Sequence, residues 1–262
     1  MGASSIKIYN LEGRAEGNID LPKIFNTDLR PDVIKKAVVA IETHKLQPKG
    51  RNNMAGKRTT AESYGVGRGL SRVPRVKGER YSKAGSAAFA PGTVGGRIAH
   101  PPRAMKIIRK KINEKEKRLA LASAIAATAM KDVISKRGHR IDKIPSLPLI
   151  VNDELQELTK TSEAKNVLSK LGAWADVERV LNSVKVRSRG ARARGRTKKQ
   201  RVGPLIVVAE NKGIIKAVQN ISGVDAVEVD NLNTSLLAPG AHPGRLTIWT
   251  ESAVKKLENL TL

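Results

Sequence analysis

A stretch of 62 residues, from Lys45 to Lys106, constrains the fold of this chain more than any other part of the sequence. This long basic segment contains fourteen lysines or arginines, ten glycines and five prolines, but only two acidic residues, Glu62 and Glu79. Its large apolar residues follow neither the helical period of about 3.6 residues nor the strand period of about 2, so they form no face that could be buried. Ordering such a segment costs more conformational entropy than its own apolar contacts can offset. We therefore expect a long loop that becomes ordered around a polyanionic partner.

A second basic segment runs from Lys185 to Arg201 and carries nine lysines or arginines without any acidic residue. Together the two segments hold +21 of the net charge of +25, so the other 183 residues carry only +4. Charge of this size and clustering indicates binding to nucleic acid or another anionic surface. In an extended backbone the second segment would present charges on both sides, which suits a strand threaded between nucleic-acid segments. A localisation signal or a merely solvated charge run is the alternative for it.

Several classes of site and compartment are disfavoured by the sequence. The chain has no cysteine, which excludes disulfides and cysteine-based zinc sites. Its four histidines are far apart in sequence and are expected to be structural or solvated rather than metal ligands. No apolar run approaches the ~18–20 residues of a membrane span, and the N-terminus lacks a hydrophobic signal core. We expect a cytoplasmic protein that has no membrane partner, no cofactor and no small-molecule substrate.

The rest of the sequence predicts strands that alternate with helices. The predicted strands are Ile6–Tyr9, Asn18–Pro22, Leu147–Val151, Leu205–Val208, Val224–Val229 and Leu246–Trp249. The predicted helices cover about residues 31–43, 113–138, 163–171, 177–184, 213–220 and 252–260. Strands that are apolar throughout and alternate with helices indicate a mostly parallel sheet covered on both faces. We expect one three-layer, Rossmann-like α/β domain formed by residues 1–44 and 107–262, with residues 45–106 inserted as an extended loop and residues 185–201 as an extended basic segment within the domain.

Two helices carry more specific expectations. Asn113 is predicted to cap a single helix that continues to Gly138, with Leu119, Ala122, Ala126, Ala129 and Val133 on its buried face. A partner-binding face is the alternative for this alanine-rich helix. Asp176 is predicted to cap the helix at residues 177–184. The remaining acidic residues are interpreted as solubilising or capping groups.

The glycine-rich motifs do not match those of nucleotide-binding enzymes. Gly50–Lys57 has one residue more between its glycines than a P-loop has, and Arg58 stands where the magnesium-binding Ser or Thr belongs. Gly65–Gly69 does not join a predicted strand to a predicted helix, as a dinucleotide fingerprint would. No nucleophile and base occur at diagnostic spacing, so we expect no enzymatic activity. The alternative is an RNA-modifying or nucleotide-using enzyme with a basic RNA clamp, which would need a ligand pocket at the carboxyl ends of the strands.

Arginine and aromatic residues recur along the long basic segment, a pattern that a disordered linker, the alternative for it, does not need. Arginine binds phosphate with two hydrogen bonds and stacks on bases, and aromatic rings offer further stacking surface. In the long basic segment the candidate RNA-binding residues are Arg51, Lys57, Arg58, Tyr64, Arg68, Arg72, Arg75, Lys77, Arg80, Tyr81, Lys83, Arg97 and Arg103. In the second basic segment they are Arg187, Arg189, Arg192, Arg194, Arg196, Lys198 and Lys199.

Several separate motifs resemble one known family in the same order along the chain. They are Thr60–Gly69, Ala99–Pro102, Arg189–Lys198, Leu236–Gly240 and Leu246–Ser252. The chain resembles the family of the universal fourth protein of the large ribosomal subunit, most closely its archaeal form. The resemblance covers essentially the whole chain.

The resemblance implies a structural constituent of the large subunit whose loop penetrates ribosomal RNA (rRNA). In that family the loop tip reaches the wall of the nascent-peptide exit tunnel, where it forms a constriction with the hairpin of another large-subunit protein. By position the tip falls at Gly69–Lys83, and Arg72, Arg75, Lys77 and Arg80 are the tunnel-tip candidates. The implied partners are large-subunit rRNA and neighbouring ribosomal proteins. Half of the loop, extended at ~3.3 Å per residue, would reach up to ~100 Å.

Overall fold

A computed structural model describes residues 5–258, which fold as two compact units. One unit, the body, comprises the chain up to Glu42 and from Lys111 onward, and the other, the loop unit, is Thr43–Lys110. The strands are β1 (Ser5–Tyr9), β2 (Ala15–Asp20), β3 (Ala61–Glu62), β4 (Arg75–Val76), β5 (Leu149–Val151), β6 (Lys185–Val186), β7 (Lys198–Lys199), β8 (Leu205–Val208), β9 (Asp225–Glu228) and β10 (Thr247–Thr250). The helices are α1 (Pro31–His44), α2 (Glu114–Ala126), α3 (Lys131–Arg137), α4 (Thr161–Lys170), α5 (Trp174–Asn182), α6 (Arg189–Ala193), α7 (Ile214–Gln219), α8 (Thr234–Leu237) and α9 (Glu251–Glu258). Residues 1–4, part of the N-terminus in which we expected no signal core, and residues 259–260 of the predicted helix 252–260 lie outside the described residues.

The body is built on a six-stranded sheet with the order β2–β1–β5–β10–β8–β9. Only the β1–β2 pair is antiparallel, and every other neighbouring pair in this sheet is parallel. All residues of β5, β8 and β10 are buried, as expected for parallel strands covered on both faces. The α/β class with a mostly parallel sheet is confirmed.

Alternate residues of the central strands pack into two cores on opposite faces of the sheet. On one face, Leu205, Val207 and Trp249 pack with apolar residues of α1, α2 and α9, and the ring of Phe25 meets Trp249 edge-on at 5.7 Å. On the other face, Ile206 and Ile248 pack with residues of α4, α5 and α7. Helices therefore cover both faces, which makes the body a three-layer structure.

The single helix predicted from Asn113 to Gly138 is wrong, because the chain forms two helices there. Helix α2 ends at Ala126, the side chain of Thr128 donates a hydrogen bond to the carbonyl of Ile125 (2.7 Å), and Met130 is extended before α3. The predicted apolar face is also wrong at Leu119, which is 39% exposed. Ala120 and residues 122–126 are buried instead, so the end of α2 is enclosed on all sides and has no polar face there.

The second basic segment differs from the extended strand that we expected. Strand β6 pairs antiparallel with β7, and the short helix α6 lies between them. Alanine and arginine have high helix propensity, which favours a helical turn at residues 189–193. Gly195 then turns the chain with a positive φ of 75°, a conformation that glycine adopts without steric cost.

Candidate nucleic-acid interface

The loop unit has no buried residue anywhere between residues 43 and 110. Every side chain in this range is half-buried or exposed. This agrees with the absence of an apolar period in its sequence, because the unit has no core of its own. Local hydrogen bonds and turns therefore give the loop unit its shape.

Two arms of the loop unit run side by side, and glycine permits their close approach. A β-carbon added to Gly56 would lie 2.4 Å from the carbonyl carbon of Gly96, and one added to Gly50 would lie 3.3 Å from the β-carbon of Ala104. Further along, the backbone N–H of Lys77 donates to the carbonyl of Thr60 at 3.1 Å, and β3 pairs antiparallel with β4. The arms thus form an irregular hairpin that presents side chains outward.

Arg75 organises the end of this hairpin. Its guanidinium donates hydrogen bonds to the carbonyl of Gly85 (2.9 Å) and to the hydroxyl of Ser71 (3.2 Å). Its backbone pairs with Glu62 on one side and forms a bridge with Ala87 on the other. Arg75 is only partly exposed, so its guanidinium serves mainly to connect three segments of the loop unit.

Most of the other candidate residues of the loop unit are exposed and lack an acidic partner. Lys77 forms an ion pair with Glu62. Arg68 lies over the ring of Tyr64, and Arg97 over that of Phe89, each 5.7 Å from the ring centroid, where a cation is attracted to the ring. Across the described chain, no acidic side chain lies within ion-pair distance of the exposed cations that remain, namely Arg51, Lys57, Arg58, Arg72, Arg80, Lys83 and Arg103.

The second basic segment brings like charges together. Lys185 stands opposite Lys199 in the β6–β7 pair, and the residues of α6 point arginines to solvent. Like charges directly opposite each other destabilise a strand pair. Arg187 is half-buried and donates from Nε to the carbonyl of Lys198 (3.1 Å), whereas the other six candidates of this segment are exposed. An anionic partner would stabilise this hairpin by neutralising its charges.

Asp176 is not the helix cap that the sequence predicted. It lies within the first turn of α5, is fully buried, and accepts hydrogen bonds from His139 Nδ1 (2.8 Å), Arg179 Nε (2.7 Å) and the backbone N–H of Arg140 (3.0 Å). Burial by itself would raise the pKa of Asp176, but these hydrogen bonds outweigh it and the pKa is lowered. Burial has the opposite effect on His139, whose charged form is the protonated one. It lowers the pKa of His139 by more than the neighbouring Asp176 raises it. Residues distant in sequence form this network, so no local pattern reveals it.

The edge of the sheet where a nucleotide would bind in an α/β enzyme is occupied by a carboxylate. Asp153 Oδ1 accepts hydrogen bonds from the backbone N–H (3.0 Å) and the hydroxyl (2.6 Å) of Ser252 at the start of α9. A phosphate bound at the helix N-terminus would need this backbone N–H for itself. Within residues 5–258, no group of three or more His, Asp or Glu side chains is arranged to hold a metal ion. No helix in that range has the length and apolar character needed to span a bilayer.

Comparison with known proteins identifies similar chains over nearly the full length. A family model described as the ribosomal protein L4/L1 family matches residues 19–260. The chain is 46% identical to the large ribosomal subunit protein uL4 of Methanosphaera stadtmanae over 257 residues, which cover 98% of this chain and 97% of the relative. It is 44% identical to the protein of the same name from Pyrobaculum aerophilum over 261 residues, or 99% of this chain and 91% of the relative.

Proposed function

Because the chain belongs to the ribosomal protein L4/L1 family and is a structural protein of the large ribosomal subunit, we propose that it binds large-subunit rRNA. The loop unit and the second basic segment would make this contact. We further propose that the tip, Gly69–Lys83, helps to form the wall of the nascent-peptide exit tunnel beside the hairpin of a neighbouring large-subunit protein. The enzyme alternative is set aside, because members of this family are structural components of the ribosome.

The observation that carries the proposal is a set of exposed cations on a unit without buried residues. Seven exposed candidate arginines and lysines of the loop unit have neither an acidic partner nor an aromatic ring contact in the described chain, so their charges are available to phosphates. The phosphate backbone dominates the affinity of protein for nucleic acid, and each phosphate contact releases counterions. The hairpin presents these cations on a narrow, irregular element rather than on a flat face. Such an element fits between converging RNA helices, which proteins recognise mainly by shape and phosphate contacts.

A salt titration tests the RNA-binding part of the proposal. We expect the triple variant Arg72→Ala, Arg80→Ala, Lys83→Ala to bind transcribed large-subunit rRNA more weakly than the unmodified chain. The slope of log K against log salt should fall in magnitude by about 2, because each lost phosphate contact removes about 0.7–0.9. The matched control removes three exposed body lysines, Lys143, Lys170 and Lys216. Equal slopes for the two triple variants would contradict the proposal.

Site-specific crosslinking tests the proposal that the tip lies at the tunnel wall. Because the chain has no cysteine, a single introduced cysteine is the only labelling site. We expect Ser82→Cys at the tip, labelled with a photo-crosslinker and assembled into large subunits, to crosslink to a stalled nascent chain. Lys216→Cys, on α7 of the body, serves as the control and should give no such product. Crosslinks from Ser82→Cys to rRNA alone would place the tip away from the tunnel lumen and contradict this part.

A further inference from the structure

A cleft in the body gathers positive charge from α3, α5 and the end of the second basic segment. It is a cavity of about 890 Å³ beside the C-terminus of α3 and the segments that lead into β8 and β10. Its lining includes Lys136, Arg137, Arg179, Arg201 and two histidines, and no Asp or Glu residue. We call this cavity the basic cleft.

A second cavity extends the basic cleft toward the second basic segment. This cavity of about 450 Å³ shares Arg179, Gln200 and Arg201 with the basic cleft, and therefore adjoins it. It adds Arg140, Lys185 and Lys199 to the lining and again contains no acidic residue. The two cavities together form a groove along which cations recur.

Arg137 is the central residue of the basic cleft, and it has only neutral partners. Its guanidinium donates to the backbone carbonyls of His242 and Pro239, the latter at 2.8 Å, and no carboxylate in the described chain lies within ion-pair distance. Burial and the nearby charges of Arg245 and Arg179 lower the pKa of Arg137 to about 10. A half-buried cation beside other cations is unfavourable unless an anion compensates it. Nη1 also donates to the carbonyl of Pro243 (3.5 Å), so the Nε–H and one N–H of Nη2 remain for such an anion.

The neighbouring arginines differ, because carboxylates already neutralise them. Arg179 pairs with Asp176, and Arg245 with Asp225. Lys136 and Arg201 are exposed, and their side chains have no acidic partner in the described residues. The charge available for a ligand therefore lies on Lys136, Arg137 and Arg201, and continues to Arg140, Lys185 and Lys199.

We propose that the basic cleft binds the phosphodiester backbone of a segment of large-subunit rRNA, so that the RNA contact of the second basic segment, whose Lys185, Lys199 and Arg201 line the groove, continues onto α3 and the residues after it. The inference rests on the proposed function, since it assigns part of the RNA contact to the body. A volume of about 890 Å³ together with the adjoining cavity is much larger than one phosphate ion needs. The row of cations suits successive phosphates of one strand, and the planar guanidinium of arginine matches phosphate geometry. Phosphate contacts of this kind position the protein without reading base sequence.

The test compares two double variants of the full chain in binding to transcribed large-subunit rRNA. Lys136→Ala with Arg140→Ala removes two cations of the groove that lie outside the second basic segment. Their side chains are exposed and make no hydrogen bond within the described chain, so the fold should be preserved; matching circular dichroism and melting curves check this. Lys170→Ala with Lys216→Ala removes the same charge from α4 and α7. We expect the cleft variant to reduce the magnitude of the salt slope by about 1.5 and the affinity at least fivefold, with the control within twofold of the unmodified chain. Equal effects of the two variants would overturn the proposal.

Inorganic phosphate distinguishes a free anion from the RNA backbone. We expect up to about 20 mM phosphate, at constant ionic strength, to leave the melting temperature unchanged in both the unmodified chain and the cleft variant. Stabilisation of the unmodified chain alone would assign the cleft to a free phosphate ion and overturn the RNA assignment.

Crosslinking supplies a measurement that does not depend on removing charge. Gln200 lines both cavities and is exposed, so Gln200→Cys carries a photo-crosslinker into the groove. In reconstituted large subunits we expect it to crosslink to a few adjacent rRNA nucleotides. Crosslinks only to a ribosomal protein would overturn the proposal.

The salt titrations separate this proposal from the proposed function. If the slope of log K against log salt falls for the loop variant Arg72→Ala, Arg80→Ala, Lys83→Ala but not for the cleft variant, the proposed function stands and the cleft proposal fails.

Discussion

The carboxylate of Asp176 connects two parts of the body that are remote in sequence. It is fully buried and binds His139 from the segment after α3, the backbone of Arg140, and Arg179 from α5. Removal of one partner from a buried ionic network leaves the others without compensation, which is more costly than loss of an exposed pair.

The change Asp176→Asn should therefore lower the free energy of unfolding by about 3–5 kcal/mol. Urea denaturation at neutral pH measures this change. Asp32→Asn is the matched control, because Asp32 pairs with Arg30 in an exposed position (2.9 Å), and its midpoint should stay close to that of the unmodified chain. Similar midpoints for the two variants would show that the Asp176 network contributes little.

The same network predicts how stability depends on pH. The pKa values of Asp176 and His139 are both lower in the folded chain than usual, so the unfolded chain takes up protons first as the pH falls. Their contribution to stability is complete above about pH 6.5, the ordinary pKa of histidine, and is lost as the pH falls, first through His139 and then, below about pH 4, through Asp176.

Unfolding free energies measured between pH 8 and pH 4 should decrease on the acid side. His139→Gln removes the titrating ring and should flatten the curve between about pH 7 and pH 5, while leaving the decrease at lower pH. A variant that keeps the full decrease in that window would assign it to other groups.

Arg75, a tunnel-tip candidate in the sequence, uses its guanidinium for contacts within the loop unit. Its type and position made it a tunnel-tip candidate equal to Arg72, but its guanidinium connects Gly85 and Ser71 inside the loop unit. We expect Arg75→Ala to speed amide hydrogen exchange at Val76, Gly85 and Ala88, because the segments that it holds together separate. Arg72→Ala, which removes an exposed side chain, should leave these amides unchanged. Equal exchange in both variants would contradict this role of Arg75.

Among the elements, the strands were the most predictable and the alanine-rich helix the least. Residues 205–208 form a strand with the predicted bounds, because a short run of four aliphatic residues fits a strand covered on both faces. The break between α2 and α3 was missed. A helix end normally shows as an interruption of the alternation between an apolar and a polar face, and the buried end of α2 has no such alternation. The loop was recognised by its charge and glycine content, whereas its internal hairpin depends on close backbone approach, for which the sequence offers only isolated glycines.

The candidate site was partly predictable for a similar reason. The two basic segments are continuous in sequence and appear in a simple charge count. The basic cleft was missed, because Arg137, Arg179 and Arg201 come from separate elements and only the fold brings them together.

The loop unit should be dispensable for the folding of the body. Deletion of residues 62–92 removes no buried side chain, since none exists in that range. We expect the melting temperature of the purified variant to stay within a few degrees of that of the full chain, because large destabilisation comes from lost core packing or buried networks. A decrease of 10 °C or more, which corresponds to about 2.5–5 kcal/mol, would mean that the loop supports the body.

The molecule as a whole combines a packed body of modest charge with two strongly cationic appendages. The body holds two apolar cores, whereas the loop unit depends on local contacts. Trypsin cleaves after lysine and arginine in exposed, locally unfolded segments. We expect brief digestion of the free chain to cut first within residues 43–110 and 185–201 and to leave the rest of the body uncut. The same bonds should resist cleavage in large subunits. Simultaneous loss of body and loop bands would contradict this order.

The absence of any buried side chain between residues 43 and 110 also affects how the cell handles newly made copies. A copy outside the large subunit would offer many cleavable bonds to housekeeping proteases, while an incorporated copy would offer few. Degradation would then remove surplus copies, and the steady amount of this protein would follow the number of large subunits without any dedicated sensor.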